Sequence, residues 1–226
     1  MSTRLSIVIP ALDEAAQIGA VLQGLQAMRA RGADVIVVDG GSGDATVAIA
    51  EPLADAVIGA PRGRASQMNA GAAMARGEAL LFLHADTLLP ADADLQIRAG
   101  LESGERVWGR FDVRIAGRAR MLRVVAAMMN GRSRLTGIAS GDQALFVMRA
   151  AFDAAGGFPD QQLMEDIELS RRLLRLSRPA CLAGPALTSG RRWETRGVWR
   201  TIFLMWRLRW LYARGESPAR LAARYR

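Results

Sequence analysis

Four short apolar runs constrain this chain more than any other feature. They span residues 5–10, 35–38, 56–59 and 80–83. They are largely continuous rather than alternating, the pattern of strands buried on both faces, and too short for helices. After the first run, Ile18, Val21, Leu22, Leu25 and Met28 recur at helical spacing over 14–28. Asp44 stands where it can cap a helix through about residue 51, which Pro52 stops. Residues 62–64 form a basic turn, and 66–75 are Ala-rich and helical. Strands alternating with helices across short turns predict an α/β domain, a parallel sheet with helices on both faces. Ligands of such sheets bind beyond the carboxyl ends of the strands. Asp13, Asp39 and Asp86 all fall at or just past such ends.

The second half is more mixed. Residues 107–115 read as a strand with polar interruptions, 122–129 as a helix, and 144–148 as a strand. Gly156-Gly157-Phe158-Pro159 is a turn, 165–176 a helix, 180–183 a short strand, and 198–213 a basic, aromatic helix. No internal repeat or linker interrupts the chain. The expected organisation is one domain over 1–190 with an amphipathic helical extension over 191–226, packed on the domain or on a membrane surface.

Half of the residues are hydrophobic, enough for a packed core. The single cysteine, Cys181, excludes an intrachain disulfide and fits a reducing cytoplasm. The N-terminal apolar segment lacks the length and cleavage site of a secretory signal. No uninterrupted apolar run reaches the roughly 20 residues needed to span a bilayer. The expectation is a cytoplasmic protein, either free or peripheral on the inner face of the cell membrane. The net charge is +8, and all 30 Lys and Arg residues are Arg. Arg carries a fixed fork of donors that suits phosphate. Charge alone leaves nucleic acid, anionic lipid and phosphorylated substrates open. The arginines are scattered and no nucleic-acid motif is present, so nucleic acid is not the expected partner.

Three segments carry chemistry. In Val38-Asp39-Gly40-Gly41-Ser42-Gly43-Asp44, a carboxylate leaves a buried strand and glycines permit close backbone approach to a ligand. An ordinary strand-to-helix turn reads equally well. The segment is neither a phosphate loop nor a dinucleotide fingerprint. In His84-Ala85-Asp86, an Asp leaving a buried strand must be solvated, paired or on a metal. Hard divalent cations commonly combine few carboxylates with substrate phosphates, so Asp86 could hold Mn or Mg against a diphosphate; a helix cap is the other reading. His84 is the only histidine, and one His with one Asp is not a zinc site. In Glu165-Asp166-Ile167-Glu168-Leu169-Ser170-Arg171-Arg172, acids open a helix and bases follow, which suits the helix dipole. A carboxylate at a helix start beside a cleft also suits a general base.

Together these segments resemble the inverting family 2 glycosyltransferases of GT-A fold. Ser6-Ile7-Val8-Ile9-Pro10-Ala11-Leu12-Asp13-Glu14 resembles the family's first strand and turn, and 39–46 its Asp-Asp-Gly-Ser-x-Asp-x-Thr. Residues 64–71 are similar to its Asn- and Gly-containing segment. His84-Ala85-Asp86 stands in place of Asp-x-Asp, and Glu165-Asp166 with Leu169 and Arg172-Leu173 in place of the Glu-Asp helix. All five agree in order and spacing from residue 5 to about 176. The resemblance implies a Rossmann-like, mostly parallel sheet and transfer from a nucleotide-sugar donor. Pro10, Ala11, Glu14, Asp39 and Gly41 would line the nucleoside pocket, with Asp39 on the base and Arg64 on base or diphosphate. Asp86 would hold the metal, Mn or Mg. Asp166, with Glu165 beside it, would deprotonate the acceptor hydroxyl.

The chain departs from the family pattern in three ways. His84 replaces the first Asp of Asp-x-Asp, so metal binding rests on Asp86. The later His that many relatives use has no counterpart. Ser189-Gly190-Arg191-Arg192-Trp193 keeps only the Arg-Trp of the Gln-x-x-Arg-Trp found in processive synthases. Arg191, Arg192 and Trp193, with Gly141 and Asp142, are expected to face donor phosphates or acceptor. The compact chain looks like a small bacterial subfamily of undefined substrate, for which a lipid-linked acceptor is one expectation. Trp199, Ile202, Phe203, Trp206 and Trp210 form a stripe beside Arg200, Arg207, Arg209 and Arg214. Through 199–212, from Trp199 to Tyr212, it suits peripheral contact with anionic lipid, a core helix or a dimer contact. Two rivals stay open: a metal-dependent nucleotidyltransferase, although 10–14 lacks that class's Gly-rich basic signature, and an inactive nucleotide-sugar-binding partner protein.

Overall fold

The computed structural model describes residues 3–225. An eight-stranded sheet runs through its centre in the order β3-β2-β1-β4-β7-β6-β8-β5. The strands are β1 (Leu5–Ala11), β2 (Asp34–Asp39), β3 (Ala56–Gly59), β4 (Ala79–Phe82), β5 (Thr87–Leu88), β6 (Trp108–Ile115), β7 (Phe146–Met148) and β8 (Ala180–Thr188). β3, β2, β1 and β4 pair in parallel. β7 runs antiparallel to both β4 and β6, β8 returns parallel to β6, and β5 closes the edge antiparallel to β8. Six of the eight strands therefore point one way, which is the mostly parallel sheet the resemblance implied.

Helices cover both faces. Odd-numbered residues of β1, Ile7 and Ile9, pack with α1 (Ile18–Gly24), α2 (Gln26–Ala30) and α5 (Ala93–Leu101) through Leu22, Met28 and Ile97. Val8, on the other side, packs with α4 (Arg64–Met74), α7 (Arg149–Ala154) and α8 (Glu165–Leu173) through Met68, Phe152 and Leu169. The period of two along a strand divides the core into these two layers. Gly71 of α4 has a packing role: a Cβ there would lie 2.3 Å from a Val8 methyl and 2.9 Å from a Val38 methyl. The helix seats directly on the sheet because that side chain is absent.

Several expected boundaries move. The helix over 14–28 is two helices that meet at Leu25. α3 (Thr46–Ala50) is nominally capped by Ala45, although the Asp44 carboxylate still accepts from the Thr46 N–H at 2.9 Å. Arg64 is the first residue of α4 rather than part of a turn. α6 (Met121–Thr136) runs well past 129, through Gly131, and α8 stops at Leu173. β8 continues through Gly184-Pro185, past the register shift at Phe111/Asp112 that lets the pairing resume. After β8 come α9 (Arg191–Arg196), α10 (Val198–Ala213) and α11 (Pro218–Tyr225). Leu208, Leu221 and Ala222 bury against Leu163, Met164 and Ile167 around the start of α8.

Candidate active site

The carboxyl ends of the parallel strands build one rim. β1 delivers Ala11 and the turn to Glu14, and β2 delivers Asp39 beside it, because Ala11 and Asp39 are register partners. The two loops are laced together. The Gly43 N–H donates to Asp13 Oδ1 at 2.8 Å, the Asp13 N–H to the Ser42 hydroxyl at 2.9 Å, and the Glu14 N–H to Thr46 Oγ1 at 2.8 Å. Asp13 itself sits at φ 54°, a left-handed conformation that this lacing sustains. Asp39 accepts from the Gly41 N–H at 2.9 Å, the Ser42 N–H at 3.0 Å and the Ser42 hydroxyl. Burial alone would raise the Asp39 carboxyl; these donors outweigh it and hold it below the ordinary range. Gln67 of α4 pins the same corner, donating to the carbonyls of Ala11 at 2.8 Å and Val38 at 2.7 Å.

The reversed direction of β7 places its beginning, not its end, on this rim. The 3-10 turn Gly141–Gln143 just before it therefore lands opposite His84. His84 Nδ1 lies 3.3 Å from Asp142 Oδ1, and a Cβ on Gly141 would come within 2.5 Å of His84 Nε2. The Gly141 N–H donates to Asp166 Oδ2 at 2.8 Å. Arg64 Nε and Glu165 Oε1 form an ion pair at 3.0 Å, each residue opening its helix. Met164, at φ 68°, turns the chain into α8. Across the opening, Arg191 Nη2 stands 3.6 Å from Glu14 Oε2. The Arg192 guanidinium lies 4.7 Å over the Tyr225 ring, and Arg196 Nη1 donates to the Tyr225 carbonyl at 2.7 Å.

The result is a polar cleft of about 850 Å³. Of the residues expected at the site, Pro10, Ala11, Glu14, Arg64, Asp86, Asp142, Arg191, Arg192 and Trp193 line it. Asp39 and Gly41 belong to the adjoining loop and do not line it. Glu165, Asp166 and Gly141 stand just behind the wall, tied to it through Arg64 and Asp142. Gln67, Arg62, Arg196 and Tyr225 line it as well and were not expected. Gln67 lies within the motif-bearing segment 64–71, so a polar side chain on an Ala-rich helix was an available signal; Tyr225 carried none.

Charge in the cleft is tightly coupled. Burial raises the Glu165 carboxyl, opposed by the Arg64 charge. Burial would lower Arg64, but Glu165, Asp166, Asp142 and Asp86 hold it above its ordinary value. Burial likewise raises Glu14, opposed by Arg191. Asp142 would rise by burial, but the His84 bond and the charges of His84 and Arg64 hold it low. Among the described residues no cluster of three or more His, Cys, Asp and Glu is placed to hold a metal. Asp86 faces the cleft, with the Thr87 hydroxyl donating to its Oδ1 at 3.3 Å. One half-buried carboxylate fits an oxygen-loving divalent ion only if phosphates complete the ligand set.

Comparisons with known proteins agree with this architecture. The model of the family described as "Glycosyl transferase family 2" matches residues 6–152. No curated protein matches significantly. Among solved structures, S. aureus TarS 1–349 in complex with UDP-GlcNAc is 16% identical, with a TM-score of 0.66 over 82% of this chain and 58% of that one. Pyrobaculum calidifontis mannosyltransferase PcManGT, in complex with GDP-Man and Mn2+, is 20% identical, with a TM-score of 0.69 over 100% of this chain and 69% of that one. Glucosyl-3-phosphoglycerate synthase from Mycobacterium tuberculosis, in complex with Mn2+, UDP and glucosyl-3-phosphoglycerate, is 18% identical, with a TM-score of 0.59 over 82% and 71%. The chain thus spans less than three fifths of the TarS fragment's length. At these identities the structural likeness is one of fold.

Proposed function

The chain belongs to glycosyl transferase family 2, and from that premise we propose that it moves a sugar from a nucleoside-diphosphate donor to an acceptor hydroxyl, inverting the anomeric carbon. The observation that carries this reading is the convergence of six separated segments on one cleft through the contacts Arg64–Glu165, His84–Asp142, Arg191–Glu14 and Gly141–Asp166. A nucleotidyltransferase has no need of a carboxylate held behind the cleft wall by a backbone N–H.

In this reading the nucleoside lies against Pro10, Ala11 and Glu14. Asp39 serves that end by fixing the turn, accepting from the Gly41 and Ser42 N–H groups and the Ser42 hydroxyl. Arg64, Arg191 and Arg192 meet the diphosphate, for which the planar guanidinium is suited. Asp86 would hold Mn or Mg together with the donor's phosphates, as bound Mn2+ in PcManGT suggests. Such an ion, when bound, neutralises charge growing on the departing diphosphate. Asp166 takes the proton of the attacking hydroxyl. Its Oδ2 is aimed by the Gly141 N–H, and lone pairs remain on both oxygens. Glu165, locked by Arg64, holds the start of α8 against the cleft. Gly141, Asp142 and Trp193 border the acceptor's approach.

We also place the protein in the cytoplasm with α10 against the inner face of an anionic membrane. Trp199, Phe203, Trp206 and Trp210 are 61%, 63%, 57% and 56% exposed on α10, which carries no acidic residue. Among the described residues no helix is long and apolar enough to cross a membrane.

Thermal-shift and calorimetric screening of UDP- and GDP-sugars with and without Mn2+ tests the core of this reading. Binding should raise the melting temperature. Asp86→Ala should remove most of the metal-dependent part, with a loss of about tenfold or more in donor affinity. Absence of any nucleotide-sugar binding would refute the proposal, and release of pyrophosphate instead of nucleoside diphosphate would favour nucleotidyl transfer.

A further inference from the structure

Two arginines, Arg132, which feels the Asp166 charge, and Arg209 beside it, do not line the donor cleft. Arg132 of α6 is half-buried, and its Nη1 donates to the Ile138 carbonyl at 3.3 Å. Its Nη2 is buried with no hydrogen-bond partner among the described residues. Arg209 of α10 is also half-buried and has no hydrogen bond or ion pair among the described residues. One apolar cluster at the start of α8 holds a neighbour of each: Ile138, whose carbonyl accepts from Arg132, and Leu208, which precedes Arg209. Leu208, fully buried and adjacent to Arg209, packs there with Ile167, the residue after Asp166, and with Ile138. Arg110, the third arginine nearby, is committed to Asp112 and to the Asn130 carbonyl.

The electrostatics agree with this placement. Burial, and then the charge of Arg209, bring the Arg132 guanidinium down to about 10; Asp166 is the carboxylate that opposes them. Arg64 in the donor cleft also feels Asp166, whereas Arg132 and Arg209 do not line that cleft. Arg132 is therefore coupled to Asp166 on one side and to Arg209 on the other, outside the residues that line the donor cleft. Two like charges held together and partly out of water are costly unless an anion joins them. Paired guanidinium forks match the oxygens of a phosphate.

We propose that Arg132 and Arg209 bind a phosphate carried by the acceptor, seating the neighbouring hydroxyl at Asp166. This rests on the glycosyl-transfer reading above and narrows its acceptor to a phosphorylated alcohol. The phosphate could belong to a soluble ester or to a lipid headgroup, since the outward face of the same helix presents Trp206 and Trp210.

The test titrates inorganic phosphate into the full chain by calorimetry, with and without saturating UDP or GDP and Mn2+. Phosphate should still bind when the nucleotide is saturating. Arg132→Gln and Arg209→Gln should each weaken that binding about tenfold or more while leaving nucleotide affinity within about twofold. Arg209, on the more exposed helix, keeps the test valid if Arg132→Gln folds poorly. Glycerol 3-phosphate and phosphatidylcholine vesicles doped with phosphatidic acid then separate the sources: competition by the first alone assigns a soluble ester, and arginine-dependent binding to the second assigns a lipid. Phosphate binding that vanishes with saturating nucleotide, or that both variants retain, overturns the proposal. Failure of the donor reading looks different, as loss of nucleotide binding with the phosphate titration still readable.

Discussion

Asp166→Asn separates chemistry from binding more cleanly than any other substitution. In the native protein the two carboxylate oxygens divide their work. Oδ2 accepts from the Gly141 N–H and Oδ1 from the Ile167 N–H, both at 2.8 Å. A carboxylate offers about four lone-pair sites, so two remain for an incoming hydroxyl. Asn has one acceptor oxygen. It can satisfy one of the two backbone donors but turns its own NH2 toward the other. Leaving that donor unsatisfied should lower stability by about 1–3 kcal/mol. The catalytic loss is larger. Removing a positioned base costs about 10²–10⁴ in rate, or about 3–5 kcal/mol of barrier at 1.36 kcal/mol per decade. Donor affinity should change little, since Asp166 does not line the cleft. Transfer is read as nucleoside diphosphate released with acceptor present, donor binding by calorimetry, and stability by denaturant unfolding. Near-normal turnover would refute the assignment of the base. A loss of donor affinity as large as the loss of rate would show instead that Asp166 shapes the cleft.

Two further outcomes test the fold that supports the site. Gly71→Ala should destabilise the protein despite improving helix propensity. The propensity gain is at most about 1 kcal/mol, whereas forcing a methyl to 2.3 Å from Val8 invites overpacking of about 1–3 kcal/mol, and at this overlap the upper end applies. The melting temperature should fall by roughly 2–8 °C, and an increase would show that α4 slides freely on the sheet. Acid should also unfold the protein. The Arg29 fork holds Asp55 below its ordinary value of 3.8, and Arg31 overcomes burial to hold Asp94 below the same value. Groups lowered in the folded state contribute stability above pH 3.8 and lose it as the pH falls toward their folded values. Glu14 and Glu165, raised by burial from 4.5, contribute oppositely, with their share already complete at lower pH. Unfolding free energy should therefore drop below about pH 4, and a flat profile there would contradict the Asp55 and Asp94 pairs.

The first half of the fold was legible because its strands are buried on both faces, which writes continuous apolar runs into the sequence. The second half hides for local reasons. β5 is only two residues long. In β8, Gly184-Pro185 looks like a terminator, yet Ala183 and Gly184 bulge out of β8 and pairing with β6 resumes at Pro185. α5 carries Ala93, Ile97 and Leu101 at helical spacing, masked by Asp92 and Asp94. At the site, individual carboxylates could be read from their positions after strands, but their partners could not. Nothing local in Arg64 announces Glu165, and nothing in His84 announces Asp142. Those pairings depend on where β7 enters the sheet, and strand direction leaves no mark on hydrophobic periodicity.

That reversed strand also explains how the chain tolerates His84 in place of a carboxylate. With Asp at 84, Asp142 would face a like charge at hydrogen-bonding range, and both would lie near Asp86 and Glu14. With His84 there, Asp142 gains a donor and is held low, and the rim keeps a carboxylate opposite β4 supplied from a different segment. Gly141 makes this possible, since any side chain would collide with the imidazole. The same glycine's N–H aims Asp166. A single tight turn thus couples the residue at the head of the donor motif to the proposed base, and the His84, Gly141, Asp142 and Asp166 positions form one unit in which a change at any member alters the others.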